Sequence, residues 1–297
     1  MSRRLRSRRP LCRPLRIGSH NLGGLTRKDD VLHAAARVWA QNRLDIVCLQ
    51  ETHHLGQEHL QAITRGLVAA AQRLGVPGWE VVGQAPSPSA RTAGVLILVR
   101  KDVQRELTAV EIPVRLTLSD APLGRCTHFS FTWGGHRIHM ANMYLPTSTY
   151  PAGERRAFVS HSLGSVARAA KEEDLLLWVG DFNFVQDPHL DSTAGAGGRG
   201  ADNAVAQDFL GACPNMVDTF RQLHPTRRTF SHLYRTTVTG GSRLDRVYAS
   251  SNLMPFVVSS TIPVPMILQI IGLQWCLCCL GSLVHGAQAS RVCARVS

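Results

Sequence analysis

Asp174-Leu175-Leu176-Leu177-Trp178-Val179-Gly180-Asp181-Phe182-Asn183 is an apolar run that ends abruptly in a carboxylate and a carboxamide. A short run of this kind reads as a buried strand, and the C-terminal ends of strands are where open α/β sheets carry their chemistry. On an extended chain Asp181 and Asn183 point the same way, so one can take a proton from water while the other holds a phosphate oxygen. Asp and Asn also favour turns, and the same tetrapeptide fits a plain strand-ending turn. On this stretch alone both readings stand.

Working outward, helices and strands alternate. Val31, Ala35, Val38 and Trp39 mark one face of a helix over residues 27–42, followed by the buried strand Leu44–Gln50 with Glu51 at its end. A second helix spans Gly56–Leu74 and breaks at Val76-Pro77-Gly78. Strands are expected at Trp79–Gly83 and Gly94–Arg100, and Gly134-Gly135 turns a hairpin between Thr127–Trp133 and His136–Leu145. A helix over Gly153–Ala170 precedes the opening run. Beyond it, Ala194–Gly198 lacks the ending of a phosphate-binding loop, which argues against a nucleotide cofactor. Two helical stretches, Val205–Ala212 and Met216–Leu223, then lead to strands at Thr229–Tyr234, Arg243–Ser250 and Met254–Ser260, the last pair forming a meander. Hairpins mixed with strand–helix alternation indicate an α/β protein with a mixed sheet, or two sheets, and helices outside.

The 297 residues suffice for one large domain, and the net charge of +12 is unevenly spread. Nine of those charges precede Asp29 and two follow Pro265, leaving a nearly neutral body. Attraction to phosphate must therefore come from a local patch or from the Arg-rich arm, residues 1–15, which reads as disordered. The arm has no apolar core and is not a secretory signal; a nucleic-acid arm, a nuclear address and a transit peptide stay open. Cys12, Cys48, Cys126 and Cys213 are scattered like reduced intracellular thiols, and Cys276, Cys278 and Cys279 have no histidine at zinc-site spacing.

Polar residues punctuate the strand ends: His20-Asn21, Glu51, Asn142 with Tyr144, Asp181 with Asn183, and Asp245. Each alone is weak: Glu51 fits a helix N-terminal charge, and Asp245 half of a surface ion pair. Together, hard oxygen donors without a Cys/His cluster point to Mg²⁺ or Mn²⁺ acting on a phosphate ester. The ordered segments Ser19-His20-Asn21, Leu49-Gln50-Glu51-Thr52, Asn142–Pro146, Gly180–Asn183 and Ser242–Asp245 resemble the endonuclease/exonuclease/phosphatase superfamily over residues 16–265. Gly180–Asp191, with Thr229-Phe230-Ser231, further resembles the endonuclease domain of LINE-type, non-LTR retrotransposons. The resemblance implies a four-layer α/β sandwich of the deoxyribonuclease I type, two mixed sheets flanked by helices, and a Mg-dependent endonuclease-like hydrolase that nicks DNA inside the cell, in the nucleus.

It further implies that Glu51 is the principal metal ligand with Asn21 beside it in the metal and phosphate shell. Asp181 would orient or deprotonate the attacking water, and Asn183 and Tyr144 would bond phosphate oxygens. Thr229, Ser242 and Arg243 would line the DNA-facing rim, and Asp245 would orient a histidine. That histidine belongs to a Ser-Asp-His triplet expected soon after the strand at 256–259. Here the chain reads Thr261-Ile262-Pro263-Val264-Pro265-Met266 instead. Losing such electrostatic groups removes about 10²-fold of rate each, so the expected enzyme is impaired, with its last strand incomplete. A DNA-binding remnant without activity, or a phosphatase or lipid phosphodiesterase of the same superfamily, are the alternatives. Residues 266–297 read as a divergent tail, as an altered reading frame, retained intron or truncated element would produce. Its uncharged run, 264–284, is long enough for a C-terminal membrane anchor, an alternative set below that reading because of Gln269, Gln274 and two glycines.

Overall fold

Along Leu175–Asp181 the side chains divide strictly by parity. Leu175, Leu177 and Val179 enter one apolar core, and Leu176 and Trp178 enter another. Ile46 and Cys48 likewise face the first core while Val47 and Leu49 face a third. Three cores require four layers, and the computed structural model shows them: two six-stranded sheets face to face with helices on both outer faces. It describes residues 14–25, 29–89, 91–118, 123–194, 200–233, 240–262 and 274–280. Most of the Arg-rich arm, the glycine loop at 195–198 and the rest of the tail lie outside these.

The first sheet runs β13 (Val257–Thr261), β14 (Gln274–Leu280), β1 (Leu15–Asn21), β2 (Ile46–Gln50), β4 (Val95–Arg100), β3 (Trp79–Ala85). Only β1 and β2 pair parallel. Its outer face is covered by α1 (Asp29–Gln41) and α2 (Gln57–Leu74), whose apolar stripes enclose Trp39 and Trp79 edge to face at 5.5 Å. The second sheet runs β5 (Thr108–Ala109), β6 (Cys126–Trp133), β7 (His136–Tyr144), β8 (Leu175–Asp181), β12 (Asp245–Ser250), β9 (Met216–Asp218), and here β7 and β8 are the parallel pair. A continuous helical segment of α4 (Ala152–Ala157), a π turn (Phe158–Leu163) and α5 (Gly164–Ala169) covers it together with α6 (Gly200–Ala212). After β4 comes a single turn, α3 (Lys101–Gln104), and after β9 another, α7 (Thr219–Leu223). A small ribbon, β10 (His232–Leu233) with β11 (Gly241–Ser242), stands beside the second sheet.

Three expectations are corrected. Met216–Leu223 is not one helix: β9 pairs with β12 before Asp218 caps α7 by accepting from Arg221 N. Of the strand expected at 229–234, only His232–Leu233 pairs. Arg243–Ser250 and Met254–Ser260 are not a meander either, because a 3-10 turn at Met254–Phe256 carries the chain from the second sheet to the first. Backbone of residues 274–280 also closes the first sheet, pairing with β1 from Leu15↔Leu280 to Asn21↔Gln274, so the sheet contains the final strand that the sequence left incomplete. A strand beside β1 satisfies amide and carbonyl groups that would otherwise form an open edge. Among the described residues no helix is long and apolar enough to cross a membrane.

Candidate active site

The parallel pairs of the two sheets end at the same rim of the sandwich. Asn21 pairs with Gln50 at the ends of β1 and β2, while Tyr144, Asp181 and Asp245 form one cross-strand row of β7, β8 and β12. Gly180 makes this row possible. It has φ 148°, and a Cβ there would meet Met143 O at 1.9 Å, so no larger residue allows β8 to approach β7 so closely.

Asn21 joins the sheets across this rim. Its Nδ2 donates to Glu51 Oε1 at 2.9 Å and to Asp181 Oδ2 at 3.1 Å, and Tyr144 OH donates to the same Glu51 oxygen at 2.8 Å. His53 Nε2 lies 3.7 Å from Glu51 Oε2. Burial alone would raise the Glu51 carboxyl, but the nearby His53 imidazole and the hydrogen bonds from Asn21 and Tyr144 outweigh it and hold the pKa below the usual range, keeping the group ionised. Asp181 responds oppositely. Burial, aided by the Glu51 charge and opposed by Asn183 N and Asn21, pushes it up to about 6. Tyr144 is raised by burial and by Glu51 and Asp181, which fixes its hydroxyl as a donor. Asn183 receives support on both sides: its N–H donates to Asp181 Oδ1 at 3.0 Å and its Nδ2 to Leu145 O at 2.8 Å.

Asp245 is fully buried, and among the described residues no hydrogen-bond donor meets either of its oxygens in good geometry. Burial and the Asp181 charge drive its pKa well above the carboxylate range, with the Ser231 hydroxyl and Arg246 opposing. Its neighbour Arg243 does not reach a rim. The guanidinium is 1% exposed; its Nε and Nη2 engage Asp191, at 2.9 Å to each oxygen, and Nη2 also Asp218 at 2.7 Å, while Nη1 makes no hydrogen bond among the described residues. Ser242 is also buried, with its backbone in the β10–β11 ribbon. Of the expected rim, Thr229 alone keeps partial exposure.

The sequence pattern of the Endonuclease/Exonuclease/phosphatase family matches residues 18–276, from β1 into β14. The chain belongs to this family. Its members are nucleases and phosphatases that act on phosphate esters, generally with a divalent metal ion. Within the Endonuclease/Exonuclease/phosphatase family, one similar protein is the transposon TX1 uncharacterized 149 kDa protein of Xenopus laevis, 28% identical over 151 residues. That match covers 50% of this chain and 11% of the transposon protein's length. The fold is similar to AP endonuclease LMAP from Leishmania major (TM-score 0.70, 20% identity, 91% of this chain and 88% of that one) and to an AP endonuclease from Archaeoglobus fulgidus (TM-score 0.68, 17% identity, 91% and 100%). The Neisseria 3′ phosphatase NExo, solved with a product DNA hairpin, shares it at TM-score 0.60 and 18% identity over 89% and 98%.

Two features of the family site went unread in the sequence. Glu51 and Asn183 both have left-handed backbones, φ 51° and 48°, as does His53 at 54°; for a residue such as Glu this costs about 1–2 kcal/mol and is held by the bonds around it. Asn142, fully buried, donates to Leu49 O and Leu96 O of the first sheet and accepts from Gln50 Nε2 at 2.6 Å. It thus clamps the second sheet to the first just behind Glu51. The sequence marked Asn142 as a polar residue beside Tyr144 but carried no sign of this clamp.

Proposed function

We propose that this chain is a retroelement-type DNA endonuclease domain whose hydrolytic power is reduced. The observation that carries the first half is the bridge Glu51–Asn21–Asp181, with Tyr144 on the same glutamate oxygen. It gathers an ionised carboxylate, a second carboxylate and two donors from both sheets within one hydrogen-bonded set. The donor set is hard oxygen, and no group of three His, Cys, Asp or Glu side chains able to hold a metal converges among the described residues. One carboxylate with solvent completing the shell suits Mg²⁺ or Mn²⁺, held by Glu51 with Asn21 beside it. When bound, such an ion neutralises charge on the attacked phosphate and the leaving oxygen.

The residues themselves divide the remaining work. Asn183 offers the remaining hydrogen of its amide, and Tyr144 its hydroxyl once turned from Glu51, to non-bridging phosphate oxygens, and Asn21 holds the two carboxylates in register. Asp181, with a pKa near 6, is ionised at neutral pH and basic enough to accept a proton from the attacking water. Thr229 contributes to the DNA-facing surface, while Ser242 and Arg243 act from beneath it. The second half of the proposal rests on Asp245, a buried carboxyl facing the site that orients no histidine among the described residues. The resemblance to LINE-type endonucleases and the kinship with a transposon protein favour DNA over an inositol phosphate or sphingolipid.

Incubation of supercoiled plasmid with the full chain and Mg²⁺ or Mn²⁺ is the test. Slow nicking, abolished by EDTA and by Asp181→Ala, is expected. Salt-sensitive DNA binding without any metal-dependent nicking would replace this reading with that of a DNA-binding remnant.

A further inference from the structure

Next to Tyr144 a second tyrosine shares the same cation. The Arg125 guanidinium carbon lies 4.8 Å from the centroid of the Tyr144 ring and 4.8 Å from that of Tyr150, so the two rings lie within twice that distance of each other. Arg125 is 4% exposed and donates from Nη2 to Tyr150 OH at 2.9 Å, with Nη1 directed to the carbonyls of Tyr144 and Leu145. Tyr150 belongs to none of the apolar cores, is 38% exposed, and sits in the connection between β7 and α4. Leu123, two residues before Arg125, is exposed as well.

A buried arginine clamping an aromatic ring at the surface is an expensive way to order a loop, and it removes the charge from view. With its N–H groups turned to Tyr150 and to backbone carbonyls, Arg125 is not presented to a phosphate; what the loop presents is a π face. A π face beside a phosphodiester site complements a nucleobase, and at about 3.4 Å per nucleotide Tyr150 stands within about three nucleotides of a phosphate at Tyr144.

We propose that Tyr150 is a base-stacking residue that takes an unstacked nucleobase near the scissile phosphate, with Arg125 fixing its ring from behind. The inference rests on the DNA reading of the site given above.

Equilibrium binding of the full chain to fluorescein-labelled oligonucleotides carrying 2-aminopurine at successive positions, in EDTA so that nothing is cut, tests it. Stacking contributes enough that Tyr150→Ala should weaken binding about tenfold, with the slope of log affinity against log salt unchanged because no phosphate contact is lost. Tyr150→Leu keeps apolar bulk without a ring and should match the alanine variant, whereas Tyr150→Trp should bind like wild type. Quenching of 2-aminopurine at one or two positions should occur with wild type and Tyr150→Trp and vanish with the other two. Wild-type-like binding by Tyr150→Ala, retention by Tyr150→Leu, or a shallower salt slope would overturn the stacking role while leaving the DNA reading intact. Absence of salt-dependent binding by the wild-type chain would overturn both.

Discussion

Asp191 and Asp245 are both fully buried, and the fold treats their charges in opposite ways. Asp191 accepts from Arg243 at 2.9 Å on both oxygens, from Arg246 at 3.3 Å, and from Arg221. Burial opposes its ionisation, yet Arg243, Arg246 and Arg221 hold its pKa well below the usual range. Asp245, on the chain between two of those arginines, has no well-formed hydrogen bond to either oxygen among the described residues. The contrast separates two uses of a buried acid. A carboxylate surrounded by guanidinium groups is architecture: it ties the segment after Asn183 to β12 and α7. A carboxyl without a well-formed hydrogen bond among the described residues is instead pushed by burial towards its neutral form.

The largest effect should come from attacking the paired acid. Asp191→Asn leaves the buried guanidinium groups of Arg243 and Arg246 with only Asp218 among the described carboxylates and takes the ion partner from the partly buried Arg221, so the loss in unfolding free energy by urea titration should be about 3–5 kcal/mol. A loss under 1 kcal/mol would erase the distinction drawn between the two acids. Next in size is a pH effect at Asp181 in protein stripped of metal. Its folded pKa of about 6 exceeds the ordinary 3.8, so its stabilising contribution is complete below that ordinary value and disappears as pH rises through 6. Asp181→Asn should therefore gain on wild type by on the order of 2–3 kcal/mol between pH 4 and pH 8, read from chemical unfolding curves. A gap that does not widen would mean that Asp181 titrates normally. By the same linkage Asp245→Asn should not destabilise the chain at pH 7 and should gain on wild type as pH rises from 4 to 8, because the folded pKa of Asp245 is raised as well. Loss of 2 kcal/mol or more in the same assay would reveal a partner for Asp245.

The sequence made the strand ends legible. Apolar runs that stop at Asn21, Glu51, Tyr144 and Asp181 depend only on local composition, and their convergence follows once two sheets share a rim. What it concealed depends on distance along the chain. Arg243 reads as a surface cation until Asp191 and Asp218, far away in sequence, are brought against it. Parity of apolar residues cannot say which sheet a strand joins, which is why β12 and β13 read as neighbours. Residues 274–280 carry no charge, and a chargeless run looks alike as strand, anchor or debris. Tyr150 gave no signal, because a tyrosine in a loop matters here only through an arginine from another connection.

β14 pairs residue for residue with β1, from Leu15↔Leu280 to Asn21↔Gln274. β1 is therefore flanked by a strand translated long after it. At about 5–20 residues per second, β1 and its Asn21 wait on the order of tens of seconds for that neighbour, longer than local structure needs to form. Throughout that interval the strand that will carry part of the site is an open template, available to any passing strand that can match its hydrogen bonds. The order of synthesis thus places a risk of mispairing on β1.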